Sequence, residues 1–174
     1  MQDIYARARD IRLAAFDVDG VMTDGGLCYT DSGEEFKIFN VLDGHGIKML
    51  QETGVKIAII TSRRSRAVEL RAANLGVDAL HQGVSAKLAT FQSMLAALGL
   101  QASAASYMGD DVIDLPVLRR CGLAISVPAA PALVREHAHY VTRAHGGRGA
   151  VREAAELIMH AQGTLEARLA QYLA

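Results

Sequence analysis

The stretch Leu13-Ala14-Ala15-Phe16-Asp17-Val18-Asp19-Gly20 sets four apolar residues directly before two aspartates. A short, uninterrupted apolar run is typical of a strand that is buried on both faces of a parallel sheet. Asp17 and Asp19 are two residues apart, so on extended backbone their side chains point to the same side. The stretch therefore predicts a buried strand that delivers two carboxylates at its carboxyl end.

Two later stretches repeat this arrangement. The apolar run 55–60 ends in Thr61-Ser62, and the run 104–108 ends in Gly109-Asp110-Asp111. Further strands are predicted at 123–127 and 140–141, and helical periodicity is found at 46–52, 63–74, 85–98 and 148–161. Alternating strands and helices predict an α/β fold with a Rossmann-like, doubly wound parallel sheet, because right-handed crossovers require helices on both faces.

Residues 27–39 break this alternation. Two short strand-like runs flank Asp31-Ser32-Gly33, which predicts a projecting β-hairpin at about residues 25–39. The chain has no internal repeat, low-complexity tract or Pro- and Gly-rich linker, so we expect a single domain over 1–174 with no separate cap domain. The tail, at about 163–174, is expected to be either helical or loose.

Composition narrows the class of protein. The 174 residues are 51% hydrophobic, and 18 basic against 19 acidic residues give a net charge of -1, so we expect no nucleic-acid partner. The two cysteines form no disulfide framework, which favours a reducing, cytoplasmic location. The N-terminal residues lack an apolar leader, and the apolar runs are too short for a bilayer, so no membrane association is expected.

The polar strand ends suggest phosphate chemistry. Ligands of doubly wound sheets bind beyond the carboxyl ends of the strands, where Asp17, Asp19, Asp110 and Asp111 are predicted to meet. Closely spaced carboxylates favour Mg²⁺, which prefers oxygen ligands. Thr61 and Ser62 open a helix and suit phosphate oxygens, and Lys87 can neutralise phosphate charge. Each feature alone is more often a helix cap or a solvated side chain, and their coincidence in one chain favours an active site.

These motifs resemble the haloacid dehalogenase superfamily of phosphotransferases. The matching residues are Asp17-Val18-Asp19-Gly20, Thr61, Lys87 and Gly109-Asp110-Asp111 with Asp114. Further segments resemble a capless branch of that superfamily, the phosphatases of 3-deoxy-D-manno-octulosonate 8-phosphate. They are 39–44, Arg63, 74–76, 81–83 and, most specifically, 141–143 with Gly146-Gly147-Arg148-Gly149-Ala150-Val151-Arg152-Glu153.

The resemblance implies a role for each matching residue. Asp17 would attack phosphorus, while Asp19 would protonate the leaving alkoxide and later deprotonate the attacking water. Mg²⁺ would be held by Asp17, the backbone carbonyl of Asp19 and Asp110, and oriented by Asp111 and Asp114. Thr61, Ser62 and Lys87 would hold the phosphoryl group. Arg63 and Arg71 are candidates to bind the carboxylate of a sugar acid.

The same resemblance implies a role in lipopolysaccharide biosynthesis and a homotetramer whose hairpins pack together, so that neighbouring subunits wall the cleft. It also implies that residues 146–149 and the tail cover the pocket. Ser62 stands where the family commonly has glycine, and His45 stands where an aromatic or aliphatic residue is expected.

Three alternatives stay open. The substrate could be a nine-carbon, sialic-type sugar 9-phosphate. The chain could instead be a receiver-like signalling domain, which also uses an acidic pair, a Thr or Ser and a Lys around a phospho-aspartate. The late second acidic pair argues against a receiver. A catalytically silent interaction domain is disfavoured because no motif position is missing.

Overall fold

The computed structural model describes residues 2–173, so the two terminal residues of the expected domain, Met1 and Ala174, lie outside the described part. Within the described part, six parallel strands form one sheet in the order β5-β4-β1-β6-β7-β8. Their bounds are β1 Leu13–Phe16, β4 Lys56–Ile60, β5 Ala79–His81, β6 Ala105–Met108, β7 Leu123–Ser126 and β8 Tyr140–Val141. The strands β2 Cys28–Tyr29 and β3 Glu35–Phe36 form a separate antiparallel pair.

Between residues 2 and 173, eight α-helices connect or flank these strands. They are α1 Gln2–Arg9, α2 Val41–Gln51, α3 Arg66–Leu75, α4 Lys87–Leu98, α5 Leu115–Leu118, α6 Ala132–Glu136, α7 Ala150–Ala161 and α8 Leu165–Ala170. The crossovers run from β1 outward to β5, and then return across the sheet to β6 and on to β8. Because such crossovers are right-handed, this reversal places α2 and α3 on one face and α4 to α6 on the other. Helix α7 packs against α2, and α1 packs against α7. This arrangement confirms the predicted α/β fold.

The core lies between the sheet and its two helical layers. All four residues of β1, β6 and β7 are buried, as expected for strands that are covered on both faces. Phe16 and Tyr107 are among the largest fully buried side chains, and the Tyr107 ring packs edge-on against Phe91 of α4. The apolar strands thereby fix the sheet, and their polar continuations emerge together at one edge.

Some predicted element bounds were wrong. The helix predicted at 46–52 begins at Val41, because the Asn40 side chain caps it by accepting hydrogen bonds from the amides of Leu42 and Asp43. Two glycines near its start, Gly44 and Gly46, weaken helical propensity and obscure that boundary in the sequence. The short edge strand β5 and helix α1 were not predicted.

The hairpin prediction is confirmed: Cys28 pairs with Phe36 and Tyr29 with Glu35 in antiparallel register. The turn closes with the amide of Thr30 donating to the carbonyl of Glu34, and Gly33 takes the positive φ of 84° that the turn requires. Across residues 2–173, none of the helices is both long and apolar enough to cross a bilayer.

Candidate active site

The three polar strand ends meet at the carboxyl edge of the sheet. Phe16 is in register with both Ile59 and Met108, and the Asp17 amide extends the ladder by donating to the Met108 carbonyl at 2.9 Å. Beyond these ends lies a cleft of about 200 Å³. The cleft is lined by Asp17, Asp19, Gly25, Thr61, Ser62, Arg63, Asp110, Asp111 and Ile113. Seven of the residues that the sequence singles out therefore line one cavity.

Lys87 lies behind this wall and not in it. Its ammonium donates to Asp17 Oδ2 at 2.5 Å and to Asp114 Oδ1 at 2.7 Å, and its side chain is 2% exposed. Burial lowers the pKa of Lys87, but the charges of Asp17 and Asp114 outweigh burial and raise the pKa overall. Lys87 is therefore held as a cation at the back of the site, where it balances two buried carboxylates.

Asp114 is saturated with hydrogen bonds. Its Oδ1 accepts from Lys87 and from the Tyr107 hydroxyl at 2.7 Å, and its Oδ2 accepts from the amides of Asp110 and Asp111 at 3.0 and 3.1 Å. The side chain is fully buried. Because both oxygens already have two donors, Asp114 is suited to fixing the loop that carries Asp110 and leaves little free capacity to bind a metal ion.

The positive charge near Asp17 and Asp110 does not balance the negative charge of the carboxylates gathered there. Together with Asp114, these two residues offer oxygens that all lie within 4.8 Å of one another. Burial, followed by the charge of Asp114, raises the pKa of Asp17 to about 6. Burial, followed by the charges of Asp17 and Asp114, raises the pKa of Asp110 to about 7. A hard divalent cation would relieve this repulsion, so these oxygen donors fit Mg²⁺.

Two glycines, Gly20 and Gly146, allow three loops to approach each other closely: the loops after β1 and β6 and the loop before α7. Gly20 has a φ of 83°, and a Cβ atom there would overlap the Asp110 carboxylate. A Cβ atom on Gly146 would overlap the Gly20 carbonyl oxygen, and the Gly147 amide donates to the Val21 carbonyl at 3.0 Å. The loop before α7 is therefore seated directly on the loop that follows β1, beside the cleft.

Thr61 and Ser62 occupy the opposite wall. Thr61 is 2% exposed, and its amide donates to the His81 carbonyl at 2.9 Å, which ties the end of β4 to β5. Arg63 is 41% exposed; it donates to the Tyr29 hydroxyl at 2.8 Å and to Glu35 Oε2 at 3.1 Å. The cleft therefore has an acidic wall at Asp17 and Asp110, and a wall with hydroxyls and a guanidinium at 61–63.

Asp19 is engaged by residues that the sequence reasoning missed. The Lys37 ammonium donates to Asp19 Oδ1 at 2.5 Å and contacts Glu35 Oε1 at 2.7 Å. Glu35 and Lys37 are two residues apart on the hairpin, so they share a face; that spacing was the available signal. Hydrogen bonding to Lys37 lowers the pKa of Glu35.

The structure does not bring Arg71 into the cleft. Its guanidinium donates to the Asn40 carbonyl at 3.0 Å and to Asn74 Oδ1 at 3.2 Å, and lies over the Phe39 ring. Gly44 faces it, where a side chain would collide with the guanidinium. Arg71 therefore holds the start of α2 in place.

His45 and the tail also lie away from the cleft. His45 Nε2 is 2.9 Å from the Tyr172 hydroxyl, and Arg168 of α8 pairs with Glu52 at 2.9 Å. Within one chain the tail packs on α2, and none of its described residues lines the chain's own cleft.

Comparisons with known proteins agree with this geometry. A curated 3-deoxy-D-manno-octulosonate 8-phosphate phosphatase from Yersinia pestis is 49% identical over 164 residues, which cover 94% of this chain and 88% of the relative. The enzyme of the same name from Escherichia coli K12 is 46% identical, with coverage of 94% and 87%. No family model matches the chain.

Solved structures match over nearly the whole chain. The phosphatase of the same name from Moraxella catarrhalis, in complex with magnesium ion, phosphate ion and a KDO molecule, is 41% identical with a TM-score of 0.97, and the match covers 99% of both chains. A putative hydrolase of the haloacid dehalogenase superfamily from Legionella pneumophila is 38% identical with a TM-score of 0.95, covering 99% of this chain and 95% of its own.

Proposed function

The chain belongs to the family of 3-deoxy-D-manno-octulosonate 8-phosphate phosphatases in the haloacid dehalogenase superfamily and is a phosphomonoesterase, and from that premise we propose the following reaction. The enzyme hydrolyses 3-deoxy-D-manno-octulosonate 8-phosphate to 3-deoxy-D-manno-octulosonate and inorganic phosphate. The observation that carries the proposal is the meeting of Asp17, Asp110 and Thr61 around one cleft, with Lys87 buried behind Asp17.

The first step transfers the phosphoryl group to the enzyme. An oxygen of Asp17 attacks phosphorus, and the bond from phosphorus to the sugar oxygen breaks. Asp19, in its protonated form, gives its proton to the departing alkoxide, which leaves as the sugar hydroxyl. The Lys87 ammonium and the Val18 amide, which donate to the two oxygens of Asp17, aim that carboxylate at the cleft.

The second step returns the enzyme to its starting state. Asp19, now ionised, takes a proton from a water molecule whose oxygen attacks phosphorus. The bond from phosphorus to Asp17 breaks and releases inorganic phosphate. Thr61 and the Ser62 amide hold the phosphoryl oxygens in both steps, where charge is spread over the equatorial oxygens.

Mg²⁺ would be held by the carboxylates of Asp17 and Asp110 and by the backbone carbonyl of Asp19. When bound, the ion offsets the negative charge of these carboxylates and of the phosphate. Asp111 and Asp114 orient the ligand set, and the saturated hydrogen bonding of Asp114 supports that role.

The sugar-acid carboxylate is best placed to meet Arg63, which lies on the cleft wall and is partly exposed. A guanidinium offers the planar, two-point donor geometry that a carboxylate fits. Arg71 is a weaker candidate, because its guanidinium lies outside the cleft and contacts the start of α2.

The hairpins would join four copies of the single domain into a tetramer whose neighbouring subunits wall the cleft. Exposed apolar side chains on the hairpin and the start of α2 support this assembly; they are Leu27, Tyr29, Phe36, Ile38, Val41 and Leu42. We place the reaction in the cytoplasm, in lipopolysaccharide biosynthesis; the free state of Cys28 and Cys121 is compatible with a reducing compartment.

The test is phosphate release from a panel of sugar-acid phosphates, with magnesium and with a chelator. The proposal predicts that 3-deoxy-D-manno-octulosonate 8-phosphate is turned over with the highest kcat/KM, repeatedly, without a partner protein and only with the metal. Higher kcat/KM for a nine-carbon sugar 9-phosphate would overturn the substrate, and single turnover would favour a receiver-like role.

A further inference from the structure

Lys37 is an unusually buried lysine. Its side chain is 1% exposed, although it follows a two-stranded hairpin on the surface of the fold. Lysine is almost never fully buried unless it is paired, and Lys37 is paired twice, with Asp19 at 2.5 Å and with Glu35 at 2.7 Å. Lys37 therefore places one fixed positive charge next to Asp19 in the wall of the cleft.

The contact with Lys37 makes the two oxygens of Asp19 different. Oδ1 accepts the hydrogen bond from Lys37, whereas Nε of Arg63 lies 3.8 Å from Oδ2, beyond hydrogen-bond distance. Among residues 2–173 no hydrogen-bond donor to Oδ2 is found. Asp19 lines the cleft and its side chain is 22% exposed, so one oxygen is anchored and the other is available to a bound molecule.

Glu35 supports Lys37 from the far side. Its Oε1 contacts the ammonium, and its Oε2 accepts from Arg63, which also donates to the Tyr29 hydroxyl. Two carboxylates, Asp19 and Glu35, thus face two cations, Lys37 and Arg63, so the group carries no net charge. Such a balanced set holds the position of each member more firmly than a single pair could.

We propose that Lys37 is a positioning residue for Asp19, anchoring Oδ1 so that Oδ2 faces the sugar oxygen and exchanges the proton. The proposal rests on the function proposed above. An acid that protonates a leaving group must lie within hydrogen-bond reach of it, and small errors in position are costly. Lys37 itself does not line the cleft, and it acts through Asp19.

This role differs measurably from that of a hairpin anchor. If Lys37 positions the acid, its loss matters most when the leaving group needs a proton, as a sugar alkoxide does. It matters little for 4-nitrophenyl phosphate, whose phenolate leaves readily without one. If Lys37 only anchors the hairpin, both substrates lose rate equally, because the substrate-independent parts of the site are disturbed.

The experiment compares Lys37→Met with a matched control, Lys56→Met, which breaks another lysine–aspartate pair, to Asp78 at 2.8 Å, at the start of β4. The readout is kcat/KM, which covers the steps up to formation of the phospho-enzyme. For the sugar-acid phosphate we expect a loss of about 100-fold in Lys37→Met and less than about threefold in the control. For 4-nitrophenyl phosphate we expect a loss below about fivefold, and Lys37→Arg should recover most of the sugar-phosphate activity.

The assignment is overturned if Lys37→Met loses rate equally on both substrates, if its kcat/KM for the sugar phosphate is unchanged, or if Lys37→Arg recovers nothing. Should Lys37→Met fail to fold, Glu35→Gln is measured in the same way and is expected to show the same substrate dependence with a smaller loss. Wild-type enzyme that does not hydrolyse the sugar phosphate overturns the proposed function, and the Lys37 assignment with it. The wild-type rate thus tests the proposed function, and the variant rates test the Lys37 assignment.

Discussion

As the proposed nucleophile, Asp17 would have to be ionised to attack phosphorus, yet it is 5% exposed and lies beside two other carboxylates. The Lys87 ammonium and the Val18 amide favour its ionised form, while burial and Asp114 oppose it and prevail, raising its pKa to about 6. A divalent cation would shift this balance toward the ionised nucleophile. Metal binding and nucleophilicity are therefore coupled in one side chain.

Replacement of Asp17 by asparagine is expected to abolish turnover, because an amide cannot serve as the anionic nucleophile. We expect a loss of kcat on the order of 10³-fold or more, with a folded protein of similar thermal midpoint, since asparagine keeps the shape of the side chain. Phosphate release and thermal unfolding measure the two effects. Lys56→Met, distant from the cleft, serves as the control and should keep its kcat.

Lys87→Met tests the buried ammonium. With the cation removed, Asp17 and Asp114 lose the charge that balances them, so we expect the metal-free protein to lose about 3 kcal/mol of unfolding free energy. The kcat should fall by about 10² to 10³ because the aspartate is no longer aimed. Urea denaturation in chelator and steady-state assays check both values. A neutral effect on both the unfolding free energy and kcat would contradict the role proposed for Lys87.

Among the secondary-structure elements, the strand ends could be predicted and the contacts between distant segments could not. An apolar run followed by Asp17, by Thr61 or by Asp110 specifies a strand and its polar exit locally, so the site was predictable from spacing. The pairing of Lys37 with Asp19 depends on how the hairpin folds back toward the loop after β1. The spacing of Glu35 and Lys37 places both on one face but does not encode that contact. Arg71 has the right chemistry for a carboxylate but the wrong position, because its helix face turns toward Asn40.

The start of α2 provides a direct test of capping. The Asn40 side chain accepts hydrogen bonds from the amides of Leu42 and Asp43 and donates to the Gly147 carbonyl. Asn40→Ala is expected to cost about 1 kcal/mol of unfolding free energy. Ser65 precedes α3 in the same way, but its hydroxyl is buried and has no partner among the described residues, so Ser65→Ala should cost almost nothing. Chemical denaturation of the two variants compares a residue whose side chain caps its helix with one whose side chain does not. Equal losses of unfolding free energy would contradict the capping role of Asn40.

At the level of the whole molecule, the hairpin is expected to depend on other copies of the chain. A two-stranded pair of this length is marginal alone, and Ile38 and Val41 expose 73% and 81% of their surface beside it. Ile38→Asp should shift the sedimentation behaviour from a tetramer toward smaller species and lower kcat. A wild-type protein that sediments as a monomer at assay concentration would contradict the assembly.

The acidic cluster also predicts how pH and metal act on stability. The folded pKa values of Asp17 and Asp110, about 6 and about 7, lie above the unfolded value of 3.8, so the folded state binds more protons between these values. The unfolding free energy of the metal-free protein should therefore fall as pH rises from about 4 to about 7, the window between those pKa values. At about pH 8, Mg²⁺ at about 100 times its dissociation constant at that pH should add about 2.7 kcal/mol to the unfolding free energy. The same Mg²⁺ concentration should add much less at about pH 5, because protons compete for the same oxygens. Thermal unfolding with and without magnesium measures both trends, and a metal-free stability that rises over this window would contradict them.

The most direct test of the central claim is to locate the covalent intermediate. Enzyme quenched in acid during turnover of the sugar-acid phosphate is reduced with borohydride, which converts an acyl phosphate to an alcohol, and the digested chain is examined by mass spectrometry. We predict homoserine at position 17, and none in Asp17→Asn. Homoserine at another aspartate, or its absence from an enzyme caught turning over, would contradict the proposed mechanism.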